Sequence, residues 1–274
     1  RKEKRKEREE KRKKRKERKK KERERREEER EEEEGIGDRG RRGGDGEENK
    51  REVDGDDVWW AEARPDEGGR TVVVRRSGDG TVADMVPAEV DVRTGVHEYG
   101  GGAWWVAGGL LVHSDRSDER LYRRDGWRDA VVLTPESGAP RSLRYADGRI
   151  TPDGRWYVCV RESHEGGGSH AEPANDLVAV AMDGSLRVEV LVSSPDFVAS
   201  PRVSPDGRNL AWIQWDHPEM PWDDTELWVA DLAVDPDTCT PSRGRRLAAR
   251  GASLFQPACH PPGVRPVVTD RAAW

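Results

Sequence analysis

Four short stretches of this 274-residue chain hold residue types and spacings that could support chemistry. Gly35-Ile36-Gly37-Asp38-Arg39-Gly40 has the glycine pattern of a dinucleotide-binding turn. Such a turn grips a pyrophosphate only where a strand leads in and a helix leads out, and neither flanks it here. His164-Glu165-Gly166-Gly167-Gly168-Ser169-His170 brings a carboxylate and two imidazoles together, but the histidines stand at i and i+6 around three glycines. Two zinc ligands on one helical face need i and i+4, so this stretch reads as a mobile loop between strands, and no metal site is expected. The third stretch is Val96-His97-Glu98-Tyr99-Gly100-Gly101-Gly102-Ala103-Trp104-Trp105. Three glycines in a row let the backbone bend sharply or approach another strand closely, and they follow directly on three polar side chains. His97, Glu98 and Tyr99 are therefore candidates for a channel- or substrate-facing role; the other reading of the same residues is turn stabilisation. The fourth stretch, Trp212–Asp231, reads as two strands joined by a loop with Asp216, His217, Met220 and Trp222, its tryptophans packing between sheets.

A nucleophile elbow is missing. Gly167–Ala171 and Gly251–Phe255 come nearest to G-x-S-x-G, yet neither stands between a buried strand and a helix, the setting that exposes the serine to its base. No catalytic residue and no cofactor is expected. Cys159, Cys239 and Cys259 are odd in number and far apart, which argues against a disulfide framework and a cysteine zinc site and fits a reducing cytoplasm.

The elements that must position these residues follow from composition. Residues 1–34 are Arg, Lys and Glu alone, 20 basic and 14 acidic, so the remaining 240 residues carry 29 basic and 41 acidic, net −12. A tract without apolar side chains gains nothing from burial and cannot build a core, though Glu-to-Lys and Glu-to-Arg pairs at i and i+4 support a solvated, partly formed helix. Residues 35–51 read as a glycine-rich linker and 52–274 as the folded domain. Neither a membrane span nor a secretory signal is legible. The tail's charge allows a nucleic-acid tether, but the net −12 of the rest makes nucleic acid an unexpected partner.

From residue 52 onward, short strand-like runs of four to six residues alternate with Gly, Pro, Asp and Ser corners, and no stretch keeps helical periodicity over three turns. The fold class expected is all-β. Thr151-Pro152-Asp153-Gly154-Arg155 and Ser204-Pro205-Asp206-Gly207-Arg208 lie 53 residues apart, and His260-Pro261-Pro262-Gly263 is a weaker third copy. Proline presets φ at the second turn position, the aspartate caps backbone N–H groups, and glycine takes the positive φ that closes the corner. A repeat near 50 residues with about four strands per unit predicts propeller blades. Residues 52–274 then hold four to five of them, an incomplete β-propeller whose open edges favour self-association.

These strings carry a family resemblance. VHEYGGGAWW at 96–105, SDRSDERLYR at 114–123, RYADGRITPDGRWYVCVRE at 144–162 and SPDGRNLAWIQWDHPEMPWDDTELWVADL at 204–232 resemble the N-terminal propeller of prolyl oligopeptidase-type serine peptidases, in their acylaminoacyl-peptidase and dipeptidyl-aminopeptidase branch. The resemblance implies a propeller that caps an α/β-hydrolase domain bearing a Ser–Asp–His triad, admits short peptides and can hold the substrate N-terminus. It covers residues 52–274 and includes no triad, so the expectation is a non-catalytic gating and selection module, inactive on its own, with peptide as partner. The other expectation is a stand-alone propeller-like interaction scaffold with a charged tether.

Overall fold

The apolar runs fold into strands and nothing longer: the one helical turn among the described residues is the 3₁₀ segment Pro65–Glu67. The computed structural model describes residues 51–98, 100–126, 128–165, 172–248, 254, 255, 257–260, 263–265, 268 and 269. The charged tail, nearly all of the glycine-rich linker, Tyr99 and His170 lie outside them.

Four antiparallel meanders follow one another along the chain. Sheet I holds β1 (Arg51–Asp54), β2 (Asp57–Arg64), β3 (Arg70–Arg76) and β4 (Val82–Asp84). Sheet II holds β5 (Trp104–Ala107), β6 (Leu110–Ser114), β7 (Leu121–Asp125) and β8 (Val131–Val132). Sheet III holds β9 (Leu143–Ile150), β10 (Trp156–Ser163), β11 (Ala174–Ala181) and β12 (Val188–Val192). Sheet IV holds β13 (Phe197–Val203), β14 (Asn209–Trp215), β15 (Glu226–Val234) and β16 (Cys239–Pro241), with β17 (Arg245–Ala248) also pairing β15. Two short pairs follow, β18 (Leu254–Phe255) with β21 (Val268–Thr269) and β19 (Ala258–His260) with β20 (Gly263–Arg265). The first strands of successive sheets adjoin, β1 beside β5, β5 beside β9 and β9 beside β13, which is the radial order of propeller blades.

Each middle blade is buried on both faces, and strand periodicity divides its side chains between two seams. In sheet III, Trp156, Val158, Val160, Leu177, Ala179 and Ala181 pack toward sheet IV with Leu210, Trp212 and Leu232. The intervening Tyr157, Cys159, Val178, Val180 and Met182 pack toward sheet II with Val112, Leu121 and Leu133. That is why WYVCV and LVAVA are continuous apolar runs rather than alternating ones. Each fully buried large side chain contributes about 1.5–3 kcal/mol. The two described thiols go to different seams, Cys159 to II–III and Cys239 to III–IV, and both are free. Burial pushes the Cys239 thiol up to about 12 and raises Cys159 as well, so neither is a thiolate at neutral pH.

The repeated corners have one geometry. Gly154 N–H donates to Thr151 O and Gly207 N–H to Ser204 O, both at 2.8 Å, with the glycines at φ of 73° and 74°. Asp153 accepts from the Thr151 hydroxyl at 2.6 Å, and Asp206 from the Ser204 hydroxyl at 2.5 Å. The equivalence extends further back than the turn. β9 bulges at Asp147-Gly148 and β13 at Ser200-Pro201, each with its first residue in the left-handed region, and each bulge is followed by an arginine, Arg149 or Arg202.

Polar contacts cross every seam. Asp54 of sheet I accepts from Gly108 N–H at 2.9 Å and Gly109 N–H at 2.6 Å, the corner of sheet II. The Ser114 hydroxyl of sheet II donates to Tyr145 O of sheet III at 2.8 Å, and Trp156 Nε1 donates to Asp235 O at 3.0 Å.

Inside sheet II, His113 on β6 is fully buried and stacks on Tyr122 at 5.8 Å. Arg124 Nε donates to its Nε2 at 3.2 Å. Burial first, and the Arg124 charge second, lower its pKa from 6.5 to about 3. The native state keeps this imidazole neutral while the unfolded chain protonates near pH 6.5, so stability falls as pH drops from about 6.5 toward 3. At pH 5 this one group should remove about 2 kcal/mol relative to pH 7. Urea midpoints at the two pH values check this: His113→Gln should flatten the dependence, and an unchanged slope would contradict the assignment.

Candidate functional site

The stretch with His97 and Glu98 forms the passage from sheet I into sheet II. Glu98 N–H donates to Gly95 O at 3.1 Å and Gly100 N–H to Val96 O at 3.0 Å, winding it into a tight loop. His97 (φ 53°) and Glu98 (φ 63°) are both left-handed, as are Gly100, Gly101 and Gly102. A non-glycine residue in that region costs about 1–2 kcal/mol, so the surroundings must impose it.

Two buried carboxylates from different blades do so. Glu119, fully buried in the corner after β6, accepts from the Thr94 hydroxyl at 2.7 Å, from Gly95 N–H at 3.0 Å and from Arg116 at 2.7 Å. Glu162 on β10, 1% exposed, accepts the His97 N–H at 2.6 Å. Its other oxygen accepts from Arg144 at 2.9 Å and meets His164 Nε2 at 2.7 Å. The same Arg144 nitrogen donates to Gly95 O at 2.7 Å. The loop is thus held by its backbone from both sides, and its polar side chains are left for other work.

The His97 ring is mostly buried. Its Nε2 lies 3.0 Å from Asn175 Oδ1, and Asn175 Nδ2 donates to Asp196 O at 3.0 Å. The amide orientation places the proton on His97 Nε2 and leaves Nδ1 as an acceptor without a partner among the described residues. Burial lowers the His97 pKa, against the raising influence of Glu162 and Asn175, so the ring acts as a neutral hydrogen-bonding group. It meets Phe197 and Trp215 edge-on at 5.9 and 6.1 Å, and those two rings stack at 5.2 Å. His217 closes the group against Phe197 at 5.1 Å, its Nε2 3.4 Å from Glu172. Glu98, next in the loop, is exposed.

The structure therefore brings His97 together with three rings that the sequence reading had assigned elsewhere or passed over, and it places Glu98 beside them. Tyr99 lies outside the described residues. His164, the described histidine of the failed metal motif, faces Glu162, and Glu165 accepts from Gly138 N–H at 2.6 Å. Among the described residues no group of three or more metal-ligating side chains converges. The expected role of the tryptophans as packing residues fits Trp59, Trp104, Trp156, Trp212 and Trp215, all buried; Trp222 departs from it, 58% exposed in the loop after β14. The arrangement accepts N–H donors and offers aromatic edges. Among the described residues, the histidine nitrogens meet two carboxylates, one side-chain amide, a carbonyl and an arginine, not a nucleophile.

In fold the described residues form part of a β-propeller, and its sheets match those of prolyl oligopeptidase-family peptidases. It is similar to a Mycobacterium tuberculosis puromycin-hydrolyzing peptidase, with 38% identity over 76% of this chain and a TM-score of 0.67. A puromycin hydrolase matches at 36% identity over 82% of the chain, with a TM-score of 0.71. The chain spans about a third of the length of both, 33% and 36%. The Pyrococcus horikoshii acylaminoacyl peptidase shares the fold over 76% of this chain and 33% of its own, with a TM-score of 0.51 at 9% identity. No family model and no curated protein matches.

Proposed function

We propose that this chain is the non-catalytic propeller portion of a prolyl oligopeptidase-type serine peptidase, admitting and selecting short peptides for an α/β-hydrolase domain. The observation that carries this reading is the Thr94–Gly102 loop, whose strained backbone is fixed by Glu119 and Glu162, leaving His97 Nδ1 and the exposed Glu98 carboxylate as acceptors. Both suit a peptide N–H group or amine, and Tyr99 is the third substrate-facing candidate. Similarity to puromycin-hydrolyzing enzymes makes puromycin, an aminoacyl nucleoside, the first ligand to try.

The test is binding without turnover. Titrated with puromycin, the purified chain should show a saturable change in tryptophan fluorescence, weakened about tenfold in a His97→Ala variant that remains folded, the effect of losing one buried hydrogen bond to ligand. Release of nitroaniline from aminoacyl p-nitroanilides above the buffer rate would overturn the non-catalytic assignment. Identical affinity in His97→Ala and Glu98→Ala would remove the loop from the site.

A further inference from the structure

The repeat that generates the corners also generates a ring of equivalent positions on the innermost strands. Counting two residues back from the corner gives Glu52 on β1, Trp105 on β5, Arg149 on β9 and Arg202 on β13, one per blade. Because strand side chains repeat every two residues, these four occupy the same face at the same height. They converge. The Arg149 guanidinium lies over the Trp105 ring with its carbon 3.8 Å from the centroid. Arg149 Nη1 and Arg202 Nη1 both donate to the same oxygen, Asp147 Oδ1, each at 3.3 Å. The charge of Glu52, two blades away, also reaches Arg149.

Each arginine spends one nitrogen on the carbonyl just before it: Arg149 Nη1 on Gly148 O at 2.7 Å and Arg202 Nη1 on Pro201 O at 2.8 Å. Those bonds brace the bulges and account for the repetition of arginine. They leave the rest of Arg149 unexplained. Its side chain is 14% exposed, and its Nε and Nη2 have no partner among the described residues. Neither nitrogen is a buried unsatisfied donor, so this edge of the guanidinium is reached by solvent and open to a ligand. The shared Asp147 carboxylate sits at the long end of hydrogen-bond distance from both cations.

We propose that Arg149 and Arg202, with Trp105 as a platform, form a carboxylate-binding site on the inner wall of the propeller, taking the free C-terminus or an acidic side chain of a short peptide. The planar fork of Arg149 matches a carboxylate bidentately, and Trp105 holds it flat. A carboxylate entering there accepts from Arg149 Nε and Nη2 in place of solvent, beside the Asp147 that both arginines share. This deepens the peptide-selection reading and rests on it for the source of the carboxylate.

Three N-acetylated, C-terminally varied peptides test it by calorimetry on the purified chain: Ala-Ala-Ala as the free acid, the same peptide as its amide, and Ala-Glu-Ala amide. The free acid should bind at least tenfold more tightly than its amide. Parity between the glutamate peptide and the free acid assigns either carboxylate, and a gap assigns the C-terminus; both support the site. Arg149→Gln should abolish the preference for acid over amide. Arg149→Lys keeps a cation beside Trp105 but loses the fork, so it should reduce the preference severalfold with the fold intact, and it decides the matter if the glutamine variant does not fold. An amide that binds as tightly as the acid sinks the carboxylate site and leaves peptide selection standing. If no peptide binds, an acetate titration decides: a saturable shift of the Arg149 Nε–H resonance supports the site without a peptide, and a static resonance overturns it.

Discussion

Gly102→Ala should lower the unfolding free energy by about 3–4 kcal/mol, one of the heaviest losses a single methyl group can inflict here. Gly102 sits at φ 67°, where an alanine already costs about 1 kcal/mol or more. A Cβ there would also lie 2.5 Å from Asp147 N and 2.6 Å from Asp147 Cα. The obstacle is backbone, so no rotamer change relieves it, and the bond from Asp147 N–H to Gly102 O at 2.8 Å must break. That bond joins β9 to the start of β5, so the damage reaches both the substrate-facing loop and the arginine pair. Urea midpoints give the measurement. Gly101→Ala is the control, with φ of 99° but no atom within 4 Å of the added carbon. It should pay only the conformational cost, and equal losses in the two variants would contradict the close-approach argument.

Glu162→Ala should be comparably severe, about 3–5 kcal/mol, because it strands partners rather than merely deleting a contact. Arg144, His164 and the His97 N–H all converge on that carboxylate, which is 1% exposed. Glu162→Gln keeps an acceptor oxygen and should lose less. The contact of Glu172 with His217, whose side chains are 76% and 50% exposed, is solvent-screened, and Glu172→Ala should change stability little. Chemical denaturation of the three variants checks the order; a Glu162→Ala loss no greater than that of Glu172→Ala would mean the loop is not held as described.

Strand existence was most legible where middle strands such as β10, β11 and β14 are buried on both faces and advertise themselves as apolar runs. The inner strands β9 and β13 were not legible in that way. LRYADGRI and FVASPRV carry Asp-Gly and Ser-Pro at their centres, residues that signal turns, yet in the folded chain they form β-bulges inside strands. A repeat alignment extended five residues back from the two corners would have paired Asp147-Gly148-Arg149 with Ser200-Pro201-Arg202 and exposed both the bulges and the arginine pair. The loop around His97 stood out by its glycines. Its partners did not, because Glu119, Glu162, Asn175 and Phe197 lie 22 to 100 residues further along and look, in sequence, like ordinary surface polar and strand residues. Only the radial packing of blades brings them to one place.

The contact of Asp54 with Gly108 and Gly109 has one more consequence. A carboxylate that chelates two consecutive amides of the neighbouring corner sets the angle between blades through the main chain, whereas apolar contacts alone would let that angle follow side-chain volume. Methyl groups could thus be traded between Val, Ile and Leu in the I–II interior over evolutionary time while the wedge angle, and with it the number of sectors needed to close a circle, stayed constant.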